Sequence, residues 1–162
     1  MIGPLPQPPH WTVDWDELNR RHPFLRPMRD CPQDPEYHGE GDVWVHTRMV
    51  LEALASSGRW RSLPAHERAV VWTAAVLHDV AKPACTRPGP GGRLTSAGHS
   101  RRGAIMAREI LWRQGAEFAL REAVAALIRY HMIPFWVMER EDSLRTLLEV
   151  SQSARCDHLS IL

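Results

Sequence analysis

The chain has 162 residues, 44% of them apolar and 24% charged, with a net charge of +1 at pH 7. That is enough for one domain with a single buried core, and it is the composition of an ordinary soluble globular protein with no general attraction to polyanions. No stretch approaches the roughly 18–20 apolar residues of a membrane span, and the three cysteines (Cys31, Cys85, Cys156) are too few and scattered for a disulfide framework or a thiolate zinc site.

The N-terminus, Met1-Ile-Gly-Pro-Leu-Pro-Gln-Pro-Pro, is broken by prolines and lacks a signal-peptide core. A cytoplasmic protein with no membrane partner is expected. A short helix is predicted from about Asp14 to Arg20, capped by Thr12 or Asp14. Residues 22–41 hold four prolines and read as a long irregular segment, of a length that is often functional inside compact domains. Residues 1–41 thus form a Pro-rich irregular stretch packed on a helical domain over 42–162.

That domain opens with a helix capped by Asp42 and ending near Gly58. A second helix begins after Pro64 and runs through Val71, Ala75 and His78 on one face until Pro83 stops it. Residues 83–98 read as a Gly/Pro loop. A third helix spans about His99 to Gln114, terminated by Gly115, and a fourth runs from Ala116 to Tyr130, with Pro134 ending the segment. The last pieces are a helix over Asp142–Val150 and a stub from about Arg155, whose Leu159, Ile161 and Leu162 are expected to pack poorly or to depend on a neighbour. No strand pattern competes, so the fold class is all-α.

The most informative residues are the adjacent pair His78-Asp79, set near the end of the apolar run Ala-Ala-Val-Leu-His-Asp-Val-Ala. Burying such a doublet unpaired is costly, and coordination to a divalent metal compensates, since imidazole and carboxylate are both good ligands. His46 precedes the doublet; His99 and His131 follow it, each in or beside a predicted helix. Convergence of such positions in a helical bundle is how many two-metal sites are built. Asp79 is placed to bridge two ions, with water between them acidified and able to attack phosphorus. Lys82, one turn beyond His78, would put its ammonium near the mouth of the site. Arg101 and Arg102 sit in the first turn of the third helix, where backbone N–H groups also favour anions. Together these describe a site for an oxyanion, with Asp79 and Lys82 as catalytic groups.

Four stretches, in order, resemble the HD superfamily of metal-dependent phosphohydrolases: Gln33-Asp-Pro-Glu-Tyr-His-Gly-Glu-Gly-Asp-Val-Trp-Val-His46-Thr, Leu77-His-Asp-Val-Ala-Lys-Pro83, Gly98-His-Ser-Arg-Arg-Gly103 and Ile128-Arg-Tyr-His131. The similarity is greatest to the HD domains of bacterial tRNA nucleotidyltransferases (the CCA-adding enzymes) and to those joined to polynucleotide kinases in RNA repair. The resemblance implies an HD-type helical bundle with His46, His78 and Asp79 as metal ligands, His99 and His131 serving a second metal, and Lys82, Arg101 and Arg102 on the scissile phosphate. It implies one or two divalent ions (Mn, Mg, Ni, Co or Fe). It also implies phosphomonoesterase or 2′,3′-cyclic phosphodiesterase activity on a nucleotide or an RNA end. Tyr37-His38-Gly-Glu40 resembles the lead-in of the tRNA enzymes, and His38 would contact substrate, donate a proton or hold the loop.

HD domains close with an aspartate ligand, for which this chain offers Asp157. Asp157 is either that ligand or a first-turn carboxylate on a helix just starting, in which case the domain is cut short. A kinase, ligase or nucleotidyltransferase domain would then follow Leu162. Two other functions use the same residues: a di-iron HD-type oxygenase, and a non-catalytic module that binds a nucleotide or a partner domain.

Overall fold

In the computed structural model, which describes residue 3 and residues 5–162, α1 (Trp15–Arg21) begins where the Asp14 carboxylate accepts from the Glu17 N–H at 2.9 Å. Acidic residues in its first turn and Arg20 and Arg21 in its last complement the helix dipole. The following segment was expected to be irregular, but Pro23–Met28 form a 3-10 helix. Its three-residue repeat puts Leu25 and Met28 on one buried side, and prolines at 23 and 27 supply no N–H that would need a partner.

Helix α2 (Val43–Ser56) starts at Asp42, whose side chain accepts from the Val45 N–H at 2.8 Å. A single turn, α3 (Gly58–Arg61), follows and buries Trp60. Helix α4 (Ala65–Leu77) is the centre of the molecule. All residues from Val71 to Lys82 are buried, and Trp72 meets Trp60 with ring centroids 5.7 Å apart.

The second predicted helix does not run on to Pro83. It ends at Leu77, the chain turns through His78–Ala81, and α5 (Lys82–Cys85) begins with Pro83 in its first turn. Proline is well tolerated there because its missing N–H would have no partner in any case. The Gly/Pro loop contains a small antiparallel ladder that the sequence did not suggest, β1 (Arg87–Pro88) pairing with β2 (Leu94–Thr95). Two residues per strand give no period-2 signal to read.

Helices α6 (His99–Arg113) and α7 (Phe118–Tyr130) form an antiparallel hairpin, clasped on its outside by Arg108 and Glu122 in a bidentate ion pair at 2.7–3.0 Å. Gly115, with φ +70°, makes the turn between them as expected. Gly103 lets α6 lie close to the His78 turn: a Cβ there would sit 3.2 Å from Ile128 and 3.5 Å from the His78 carbonyl. Helix α7 packs on α4 and α6 on α7, so the ends of three helices meet beside the His78 turn.

Short α8 (Ile133–Trp136), a 3-10 turn over Val137–Glu139, α9 (Ser143–Ser151) and α10 (Cys156–Leu159) complete the chain. The C-terminal stub packs better than expected. Leu159 is in the core, Ile161 and Leu162 lie against it, and buried His158 and Arg155 both bond Glu67 at the start of α4, at 2.9 and 2.7 Å. Polar ties to a central helix anchor a segment too short to hold itself by apolar area. The chain is all-α apart from the two-residue ladder.

Candidate metal centre

His78 and His131 occupy equivalent local positions. Each follows the last turn of its helix, α4 or α7, and each turns its Nδ1 back to the carbonyl three residues earlier, Ala75 and Ile128, at 2.7 Å. His99, the first residue of α6, does the same with Ser96 at 2.9 Å. His46, in the first turn of α2, has Nδ1 at 2.6 Å from Glu40 Oε1. All four acceptors are oxygens, so Nδ1 carries a proton and donates, and in the neutral ring Nε2 keeps its lone pair.

These Nε2 atoms converge on Asp79, which is 1% exposed. His78 and His46 approach Oδ2 at 3.1 and 3.9 Å; His99 and His131 approach Oδ1 at 3.3 and 3.9 Å. Oδ1 has no hydrogen-bond partner among the described residues, although it is buried. His99 Nε2 and His131 Nε2 stand 3.2 Å apart with lone pairs facing. An unpartnered buried carboxylate oxygen beside opposed imidazole lone pairs is unfavourable alone and is satisfied by a cation. Two sets of ligand atoms share Asp79: His46, His78 and Asp79, and Asp79, His99 and His131, each within 4.8 Å. The donor set fits divalent metal.

The charges agree with that chemistry. Burial works against the Asp79 carboxylate, but His78 and Lys82 beside it hold its pKa well below the usual range. Burial, reinforced by His78, pushes the His131 ring down to about 3, and burial lowers His46 and His99 as well. For His78 burial is outweighed by the adjacent Asp79, and its pKa is raised. Three of the four rings are thus held neutral, the form that ligates.

In the metal-free protein, unfolded His131 takes up a proton between pH 6.5 and about 3 that the folded ring refuses, so stability falls with acid across that window. Glu40, held at about 2 by hydrogen bonds from His38, its own backbone and His46 despite burial, adds stability above pH 4.5 that is lost toward pH 2. His78 acts oppositely, its contribution fading as pH rises through its raised pKa. The urea midpoint is expected to fall between pH 6.5 and 4, and His131→Gln to flatten that slope; an unchanged slope in the variant would contradict the assignment.

Lys82 does not reach the mouth. It is buried, and Nζ lies 2.9 Å from Asp79 Oδ2, donates to Gln33 Oε1 at 2.7 Å and faces His38 Nε2 at 3.5 Å. The turn at His78–Ala81 folds it back onto the carboxylate. His38 is half-buried beside His46, ring centroids 4.8 Å apart, with Nδ1 on Glu40 at 2.9 Å. Arg102 is exposed and turns to α5, donating to the Ala84 carbonyl at 3.2 Å. Arg101 is not brought to the centre and faces a groove between α6 and α7 with Arg129 and Tyr130. Asp157 is also not gathered in. It is exposed and forked with Arg155 at 2.5 and 3.1 Å, which lowers its pKa to about 2.

Sequence reasoning passed over Gln33 and Glu40 as site residues, although both lie in the stretch leading to His46. Glu40 orients two rings at once, and His38, Glu40 and His46 form a third close group of potential ligands. Glu40→Ala frees the His46 tautomer and is expected to weaken metal affinity about 10–100-fold, read by metal titration. Unchanged affinity would remove Glu40 from the site.

An all-helical bundle with a buried His/Asp centre suited to divalent cations is the class that fold and site define. A family model described as HD domain matches residues 43–161, and the chain belongs to the HD domain family, a superfamily of metal-dependent phosphohydrolases whose members bind divalent metals. The chain is 30% identical over 184 aligned positions to a multifunctional CCA protein of Azoarcus sp. (strain BH72), covering 90% of this chain and 41% of the relative. It is 34% identical over 118 positions to a multifunctional CCA protein of Halorhodospira halophila (strain DSM 244 / SL1), covering 71% of this chain and 25% of the relative. The chain thus spans less than half the length of these relatives. No solved structure matches it, and no described helix is long and apolar enough to cross a membrane.

Proposed function

We propose that the protein is a metal-dependent phosphohydrolase that removes phosphate from, or opens a cyclic phosphate on, a nucleotide or an RNA end. The observation that carries this reading is the unpartnered, buried Asp79 Oδ1 facing the Nε2 atoms of His99 and His131, with His46 and His78 on the other oxygen. His46, His78, Asp79, His99 and His131 would hold one or two divalent ions, drawn from Mn, Mg, Ni, Co or Fe. Such ions supply Lewis-acid neutralisation of phosphoryl oxygens and acidify water. Asp79 is the shared ligand. Lys82 fixes the Asp79 carboxylate and adds positive charge beside the phosphoryl position, while Gln33 fixes Lys82. His38, held by Glu40 on the accessible side, would contact the substrate, and Arg102 would meet its phosphate.

The nucleic-acid part rests on the named relatives, multifunctional CCA proteins. Residues 42–162 would be the catalytic domain with residues 1–41 packed on it, and the relatives' greater length is compatible with a kinase, ligase or nucleotidyltransferase domain as partner. Asp157 would need to release Arg155 to act as a ligand, and we leave it outside the ligand set. The test is metal analysis of purified protein followed by assays with manganese on nucleoside monophosphates, 2′,3′-cyclic nucleotides and phosphate-terminated RNA. Metal-stimulated phosphate release supports the reading. A metal-loaded protein inert on every phosphate ester would refute it.

A further inference from the structure

The strap that carries His38 and Glu40 has no hold of its own on the core. Between Gln33 and Val43 no residue is buried, so polar contacts must keep residues 34–42 in place. Gln33 ties the two ends together, donating to the Gly41 carbonyl at 3.4 Å. Asp34 shapes the middle. Its backbone carbonyl accepts from the Tyr37 and His38 N–H groups at 3.1 and 2.9 Å, and its Oδ1 accepts from the Glu36 N–H at 3.0 Å. That turn leads into His38 and then Glu40, which holds His46.

Arg93, 59 residues from Asp34 in the chain, grips this turn from outside. Its Nε donates to Asp34 Oδ2 at 3.0 Å, a terminal nitrogen reaches Glu36 Oε2 at 2.7 Å, and the guanidinium lies 5.1 Å from the centre of the Tyr37 ring. Hydrogen bonds from the Glu36 N–H and from Arg93 hold the Asp34 carboxyl below its usual pKa.

Arg93 is itself fixed by the β1–β2 hairpin. Its carbonyl accepts from the Gly89 N–H at 2.7 Å, across a turn that Gly91 and Gly92 make at φ +70° and +78°. At the base of the hairpin the Thr86 and Ser96 hydroxyls meet at 2.8 Å. Ser96 is the residue whose carbonyl accepts from His99 Nδ1. This segment also lacks a core anchor, since no residue from Pro83 to Arg102 is buried. Two exposed segments therefore orient two rings of the centre, the strap through Glu40 on His46 and the hairpin through Ser96 on His99. Arg93 joins them.

We propose that Arg93 is a positioning residue of the metal centre. By tying hairpin to strap it keeps Glu40 and the Ser96 carbonyl on the Nδ1 atoms of His46 and His99, which leaves each Nε2 free for the ion. The proposal rests on the metal-binding part of the reading above and is indifferent to the ester that is cleaved. Partners behind the ligands govern metal affinity because they fix tautomer and ring direction. His131 is an internal control: its Nδ1 is held by the Ile128 carbonyl of its own helix, a contact in which strap and hairpin take no part.

The test first reads the rings by nitrogen-15 NMR of histidine-labelled, metal-free protein, at a pH above the ordinary imidazole range. In the wild type His46 and His99 should each show one protonated and one unprotonated nitrogen, well separated in shift. Arg93→Ala should draw the two nitrogens of each ring toward a common average as tautomers exchange, with His131 unchanged. Manganese affinity, titrated on the same protein, should fall about tenfold. The melting midpoint should move little, because exposed ion pairs contribute little to stability. Arg93→Lys keeps the charge without the fork and should recover part of the affinity. Unchanged His46 and His99 spectra, or unchanged affinity, would overturn the proposal. So would a shift of all three rings with a lowered melting midpoint, which makes Arg93 a general support of the fold. Loosened His46 and His99 with weaker manganese binding, in a protein that hydrolyses no phosphate ester, would keep the positioning role and sink the hydrolase reading.

Discussion

Asp79→Ala is expected to strip the centre of its metal and to abolish metal-stimulated phosphate release, a loss beyond the ~10²–10³ typical of one charge-stabilising contact. Asp79 lies in both three-residue ligand groups that flank it, so one substitution breaks the two together. It is also the counter-ion of a buried ammonium. Lys82 Nζ would be left with Gln33 and His38 alone, and stranding a buried charge costs about 3–5 kcal/mol. Lost activity in Asp79→Ala must therefore be read beside a thermal melt. The double variant Asp79→Ala, Lys82→Met removes the stranded charge and should regain most of the stability without regaining metal. A folded Asp79→Ala protein with full manganese-stimulated turnover would end the assignment.

Lys82→Met is expected to separate what Asp79→Ala merges. Methionine fills much of the same volume and removes only the ammonium. With that positive charge gone from beside Asp79, cation affinity should hold or rise, because like charges repel at short range in a poorly solvated site. Turnover should nonetheless fall on the order of 10²–10³, since the carboxylate loses its anchor and the phosphoryl position loses a charge. Metal titration and kcat measured on the same preparation give the split. A fall in both, in step, would make Lys82 a structural support of the ligand set alone.

Much of this was legible in the residues, and the errors share a cause. The doublet in an apolar run, the ordered histidines around it, the Asp42 cap and the Gly115 stop all announce themselves through burial cost, backbone chemistry or spacing. Lys82 was misplaced because a continuous helix to Pro83 carries it toward solvent, whereas the chain turns at His78–Ala81 and restarts at Lys82. Proline permits either outcome, since it suits a first turn as well as it ends a last one.

Arg101 illustrates helix geometry overlooked. At 3.6 residues per turn, two residues from His99 is most of the way to the opposite face, while Arg102 at three returns toward it. The structure separates the two, with Arg101 in the α6–α7 groove and Arg102 turned to α5. Asp157 offered a carboxylate at a plausible place in the chain, but Arg155 two residues away competes for it. Glu40 and Gln33 lie in a loop without periodicity, where only the fold reveals which side chains meet.

The most direct measurement is anomalous diffraction at the manganese edge from crystals of the protein grown with manganese. The account predicts density in the space between Asp79 and the histidine rings, with Asp79 oxygens and imidazole Nε2 atoms at about 2.0–2.2 Å from it. It further predicts loss of that density in Asp79→Ala crystals. Manganese bound only elsewhere, or a saturated crystal with no density beside Asp79, would contradict it.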